Sequence, residues 1–132
     1  HLHQTIRPAL AAGMWVVCDR FTDSTFAYQG GGRALGAQRI AQLEQWVHPG
    51  FAPDRTWFFD VPLEVARARL ADARTPDRFE RESVAFFERT REGYHARVQA
   101  DPSRFLVLDA TQSIESLRTL IAADVAKLLG QV

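Results

Sequence analysis

The chain has 132 residues, 46% of them hydrophobic and 24% charged, a composition able to close a core of its own. Its 16 basic and 16 acidic residues cancel, which leaves no global field for drawing in nucleic acid. A single cysteine, Cys18, excludes an internal disulfide; lying in an apolar run, it is expected to be a buried, reduced thiol of a cytoplasmic protein.

At the amino end, Leu2, Ile6 and Leu10 recur on one helical face, with Gly13 in a C-cap position and Pro8 marking a kink or boundary. His1 and His3 have no third ligand nearby and are expected to face solvent. The helical pattern already runs at the first residue, which has the look of a chain cut from a longer one. Met14 to Cys18 is an apolar run suited to a strand buried on both faces, and it stops at Asp19-Arg20. Charge at the carboxyl end of such a strand is where ligands sit in open α/β sheets. Thr22, Asp23, Ser24 and Thr25 then offer helix caps, followed by Tyr28-Gln29, a flexible Gly30 to Gly32 loop and Arg33.

Ile40, Leu43, Trp46 and Val47 mark an amphipathic helix ending at His48-Pro49-Gly50, where His48 serves as a C-terminal cap partner. Pro53-Asp54 is a turn, and Thr56 to Val61 is a second buried strand. Pro62 opens a helix with Leu63, Ala66 and Leu70 inward. Arg74, Thr75, Pro76, Asp77 and Arg78 interrupt the helical pattern. A helix from Ser83 to Ala100 is expected to turn Phe87, Tyr94 and Val98 inward, and to keep Arg81, Arg89, Arg91 and Arg97 on a solvated face paired with its own acids. Phe105 to Asp109 is a third strand, and Ser113 caps a last helix to Leu129 whose buried face is Ile114, Leu117, Ile121, Val125 and Leu128. Strand and helix alternate, predicting a parallel α/β sheet with helices on both faces and with Asp19, Asp60 and Asp109 near one edge. No run is long enough to span a membrane. Lys127 is the only lysine; the arginine bias suits bidentate phosphate binding, and genome composition explains it equally well.

The strings Asp19-Arg20-Phe21, Ser24-Thr25, Ala27-Tyr28-Gln29-Gly30-Gly31-Gly32-Arg33, Phe59-Asp60-Val61, Asp77-Arg78-Phe79-Glu80, Tyr94 and Asp109-Ala110-Thr111 resemble, in order and spacing, the thymidylate kinases in their bacterial form. The resemblance implies a P-loop NTPase-like fold seen here without its first strands, residues 1–132 being the carboxy-terminal portion of one kinase domain with a lid near 71–80. It implies transfer of a phosphoryl group from ATP to dTMP, with Mg2+, in a cytoplasmic homodimer. Arg20 and the lid candidates Arg69, Arg74 and Arg78 take the catalytic roles, although Ala71, Asp72 and Ala73 stand where bacterial relatives carry a dense run of arginines. Arg20, Ser24, Thr25, Tyr28 and Gln29 would hold the acceptor nucleotide, with Tyr28 beside the sugar. Asp19 would either hold waters of the magnesium ion or orient Arg20. The Gly30 to Gly32 run is not itself a phosphate loop: G-x-x-x-x-G-K-[ST] occurs nowhere in the chain, and Lys127 stands too near its end to supply the missing lysine. Two rival readings are another nucleoside or nucleotide kinase with an Asp-Arg motif, and a non-catalytic binding or assembly domain that keeps the fold.

Overall fold

The computed structural model describes residues 1–71 and 83–130. A π-helical turn, Leu2–Ile6, runs into helix α1, Arg7–Ala11, with Pro8 at the junction, where a missing N–H is tolerated. The amide of Gly13 donates to the Leu10 carbonyl and that of Met14 to Ala9, with Gly13 at φ +74°. These two bonds form a Schellman cap, as the glycine predicts. Helix α2, Thr22–Thr25, leads directly into a π-helical segment, Phe26–Gly32. Then follow α3, Ala37–Val47; β1, Thr56–Asp60; α4, Leu63–Ala71; α5, Val84–Ala100; β2, Phe105–Asp109; and α6, Ile114–Leu129.

The two strands pair in parallel, Thr56 opposite Phe105 and Asp60 opposite Asp109, and the connection between them carries α4 and α5. Parallel neighbours require such a crossover. Asp60 and Asp109 thereby share the carboxyl edge, as the sequence predicts, whereas Asp19, expected beside them, follows an irregular segment and ends no strand. Ser83 and Ser113 cap α5 and α6, their side chains accepting from the amides of Phe86 and Ser116. The core lies where α5 crosses the Phe26–Gly32 segment above β1, and it buries Phe26, Ala27, Ile40, Phe58 and Phe86.

The expected strand at Met14 to Cys18 is not formed. The segment is irregular, and Met14, Trp15 and Val17 are exposed, with Val17 at 85%. A strand exists only through a partner for its backbone groups, and among the described residues the sheet has two strands, neither paired with this segment. Cys18 is consequently exposed rather than buried.

Nor are the glycines a flexible loop. They lie in the π-helical segment, where their missing side chains let two helices touch. A Cβ on Gly31 would stand 2.5 Å from the Arg89 carbonyl oxygen, one on Gly32 2.5 Å from Thr90 Oγ1, and one on Gly93 2.8 Å from Ala27 Cα. The face of α5 that meets these glycines is buried at Phe86 and Thr90, one residue away from the expected Phe87. On α3 only Ile40 is buried, while Leu43, Trp46 and Val47 are exposed. On α6 Ile114 is exposed, and the buried residue is Asp124.

Two ion-pair networks tie these elements together. Asp23 accepts from Arg104 at 2.7 Å and 2.9 Å and from Arg97 at 2.8 Å, joining α2 to α5 and to the start of β2. Burial alone would push its carboxyl up, but the hydrogen bonds from Arg104 and Arg97 outweigh that and hold it below the usual range. Asp124 accepts at 2.8 Å from both Arg55 and the Trp57 indole, and the Arg55 bond does most to bring its carboxyl down to about 2.

Candidate functional site

The turn at Asp19-Arg20 places a guanidinium in front of α2. Arg20 has φ +66°, a left-handed conformation that costs a non-glycine residue of order 1 kcal/mol or more. The Cys18 thiol donates to the Arg20 carbonyl at 3.2 Å and helps hold the turn. This twist brings the guanidinium carbon 5.0 Å from the centre of the Tyr28 ring, with one N–H donating to the Tyr28 hydroxyl at 3.4 Å. An arginine stacked on an aromatic keeps its planar fork oriented, which suits it to a phosphate.

Tyr28 packs edge-on against Tyr94 at 6.3 Å and against Phe86 at 6.1 Å. Tyr94 in turn stacks on Phe58 of β1, centroids 4.8 Å apart and planes at 20°, and its hydroxyl bonds the Ser24 hydroxyl at 2.8 Å. Burial raises the Tyr94 phenol above its ordinary value. One aromatic column thus joins the sheet to Arg20, with Ser24 beside it.

The sequence candidates divide as follows. Arg20, Ser24 and Tyr28 come together in this column. Ser24 and Thr25 lie inside α2, whose N-cap is Phe21, and the hydroxyls expected to cap the helix make no side-chain cap bond. Gln29 is exposed on the π-helical segment, and Asp19 is exposed in the turn. Arg69 is exposed in the last turn of α4. Arg74 and Arg78, with most of the expected lid, lie outside the described residues, as does Arg81.

Three arginines expected to pair with acids of their own helix reach other elements instead, although Arg89 and Arg91 are exposed as expected. Arg89 donates to the Gly32 carbonyl at 2.8 Å and Arg97 reaches Asp23. Arg91 grips both oxygens of Asp60, at 2.6 Å and 2.8 Å, and His95 stands 3.2 Å from the same carboxylate. The Arg91 hydrogen bonds hold that carboxyl below its usual range. Asp109 accepts from the Thr111 amide at 2.9 Å and hydroxyl at 2.7 Å, which lowers its carboxyl as well. Both edge acids are therefore anionic at neutral pH and already engaged. His48 is buried at the end of α3, where its amide donates to Glu44; its ring bonds the Thr22 hydroxyl at 2.7 Å and the Phe51 carbonyl at 3.1 Å, which pins α2.

Sequence reading missed Tyr94 as a partner of Ser24, and Asp23 as the hub of Arg97 and Arg104. Asp23 carried one faint signal, an acid placed between hydroxyls on a short helix rather than before it. Among the described residues no three His, Cys, Asp or Glu side chains cluster as a metal site. An ion held by protein groups alone does not fit there. A magnesium ion carried on nucleotide phosphates asks less, since it keeps several waters and uses one or two carboxylates, and a single exposed Asp19 suits that.

Parallel strands with acids at their carboxyl edge, joined by a crossover of helices, make an α/β arrangement, the kind in which ligands sit at that edge. Residues 1–121 match the family model for thymidylate kinase. The chain belongs to the thymidylate kinase family. It is 63% identical over 128 residues to the thymidylate kinase of Bordetella petrii, covering 97% of this chain and 62% of that protein. Identity to the thymidylate kinase of Bordetella pertussis is 58% over 131 residues, covering 99% and 63%. The thymidylate kinase of Cupriavidus metallidurans shares 59% over 128 residues, covering 97% and 64%. The chain thus spans a little under two thirds of the length of these curated relatives.

Proposed function

We propose that these residues form the acceptor-side part of an enzyme that transfers the γ-phosphoryl group of ATP to dTMP, giving dTDP. The observation that carries this reading is Arg20, held at φ +66° and stacked at 5.0 Å on Tyr28 in a chain of this family. Phosphoryl transfer asks the protein mainly to position the reactants and to neutralise charge. Arg20 presents its fork to the phosphate of the monophosphate or to the transferring group. Ser24, Thr25 and Gln29 supply hydroxyl and amide groups for the base and phosphate, and Tyr28 lies along the deoxyribose. Arg69, Arg74 and Arg78 are the candidates for the cations that bridge donor and acceptor from the lid near 71–80.

When bound, magnesium on the ATP phosphates neutralises the charge that develops on the transferred group. Asp19 holds waters of that ion or orients Arg20. The donor phosphates need backbone amides and a lysine of the G-x-x-x-x-G-K-[ST] kind, which these 132 residues lack. In this reading a further segment of the enzyme supplies them. The exposed apolar residues of α3, Leu43, Trp46 and Val47, support a homodimer. A cytoplasmic setting accords with the free thiol.

A panel of nucleoside monophosphates, tested with ATP and magnesium on a polypeptide that joins these residues to a family phosphate loop, decides the substrate. Preference for dTMP is the expected outcome; preference for another monophosphate would move the assignment to a different nucleotide kinase, and no turnover of any would favour a binding domain.

A further inference from the structure

Tyr94 touches both functional positions of the acceptor side and belongs to neither. Its hydroxyl bonds Ser24 at 2.8 Å, its ring meets Tyr28 edge-on, and its other contact is the Phe58 ring of β1. Ser24 and Tyr28 are four residues apart in continuous helical backbone, so they share a face, and Tyr94 from α5 lies against that face. The Ser24 amide is already used, donating to the Phe21 carbonyl at 3.0 Å. What remains open at Ser24 is the direction of its one hydroxyl proton.

We infer that Tyr94 is a positioning residue for the acceptor nucleotide: it donates its phenolic proton to Ser24 Oγ, which turns the Ser24 proton outward to donate to the monophosphate. The inference rests on the kinase reading above. A phenol is a far stronger acid than an aliphatic alcohol, so within a tyrosine–serine pair the tyrosine is the better donor. A serine hydroxyl has one proton and two acceptor lone pairs; once it accepts from Tyr94, its proton is left for a partner outside the pair. Burial keeps the proton on Tyr94 at neutral pH, consistent with its raised phenol. The stack on Phe58 ties this pair to the sheet, so the donor is held by a rigid element rather than by the turn that carries Arg20.

Tyr94→Phe removes the hydroxyl and leaves the rings packed, so it separates positioning from folding. In the dTMP-phosphorylating enzyme it is expected to raise the KM for dTMP roughly three- to ten-fold, the weight of one hydrogen bond, with the KM for ATP unchanged. Ser24→Ala raises the same KM at least as far. The double variant matches Ser24→Ala alone, because Tyr94 acts only through Ser24. Ser24→Thr, which restores a hydroxyl, recovers part of the affinity. An unchanged KM for dTMP in Tyr94→Phe, an equal rise for both substrates, or effects that multiply in the double variant would each overturn the inference. Failure of the unaltered enzyme to phosphorylate dTMP would instead remove the kinase reading, and the inference with it.

Discussion

At the scale of single residues, the Arg20 backbone is strained and its guanidinium is held on Tyr28, a combination expected where orientation matters more than stability. In the dTMP-phosphorylating enzyme, Arg20→Ala should slow turnover by the equivalent of roughly 2.7–4 kcal/mol, by analogy with loss of a positioned donor to a developing charge. Arg118→Ala is the control, since Arg118 is exposed on α6 and pairs with Glu115 of its own helix at 2.9 Å. Steady-state kinetics of the two variants make the comparison, and near-normal turnover in Arg20→Ala would remove the role assigned to it. Tyr28 calls for a different readout because it serves two ends, packing on Tyr94 and Phe86 and carrying Arg20. Tyr28→Ala is expected to change the preference for deoxyribose over ribose monophosphates more than it changes ATP affinity. Equal change in both would mark the ring as core packing alone.

At the scale of elements, close approach rather than flexibility explains the glycines. The Phe26–Gly32 segment meets α5 so tightly that a methyl at Gly32 or Gly93 would run into Thr90 or the Ala27 backbone. Gly93→Ala has backbone in its way and nothing flexible to displace, so it should destabilise the fold by about 1–3 kcal/mol, read as a lowered urea midpoint. Gly13→Ala makes an informative contrast: φ +74° strains it, but open space surrounds it, so its cost comes from the cap alone. Much of this level was legible in the sequence. The strands Thr56–Asp60 and Phe105–Asp109 and the serine caps of α5 and α6 follow from local pattern, because apolar, aromatic-rich runs and N-cap chemistry act over a few residues, although Phe59 and Val107 are exposed where buried strands were expected. Met14 to Cys18 shows the limit, since its apolar run specifies a strand only when another strand is there to receive its hydrogen bonds. The site divides the same way. Arg20, Ser24 and Tyr28 stand within nine residues of one another, so the sequence could offer them together as candidates, but neither the Arg20–Tyr28 stack nor the bond between Ser24 and Tyr94, 70 residues apart, was legible, because both depend on packing.

At the scale of the whole molecule, distant elements are joined by carboxylates that the fold keeps ionised. Asp124, Asp60 and Asp23 all have carboxyls below the ordinary value of 3.8, Asp124 at about 2. A carboxylate depressed in the folded state binds its proton more readily in the unfolded chain, so stability rises with pH through this range. The contribution is therefore complete above about pH 5, is lost as pH falls through 4 toward 2, and should vanish below that. Asp124→Asn should flatten this acid limb, which urea titrations at a series of pH values would register; an unchanged limb would mean that the Arg55 bond carries no net weight.

The same scale decides what these 132 residues can do by themselves. Among the described residues two parallel strands leave outward edges, and Phe59, Val107, Leu43, Trp46 and Val47 are exposed, a surface that water covers poorly. The side proposed for the acceptor is nevertheless assembled within these residues, where Arg20, Tyr28, Tyr94 and Ser24 contact one another and Phe58 backs Tyr94. The donor side has no such provision: backbone amides in a phosphate loop, its lysine and its hydroxyl are absent from the sequence. A polypeptide restricted to residues 1–132 should then neither turn over dTMP nor bind ATP with useful affinity, while one that also carries the family's phosphate loop does both. Calorimetric titration of the two with ATP and magnesium measures the difference, and the expected result is heat of binding from the longer one only. Stoichiometric, tight binding of ATP by the shorter polypeptide would mean that the donor phosphates are held by groups within these residues, and the division of labour drawn from Arg20 and its neighbours would have to be redrawn.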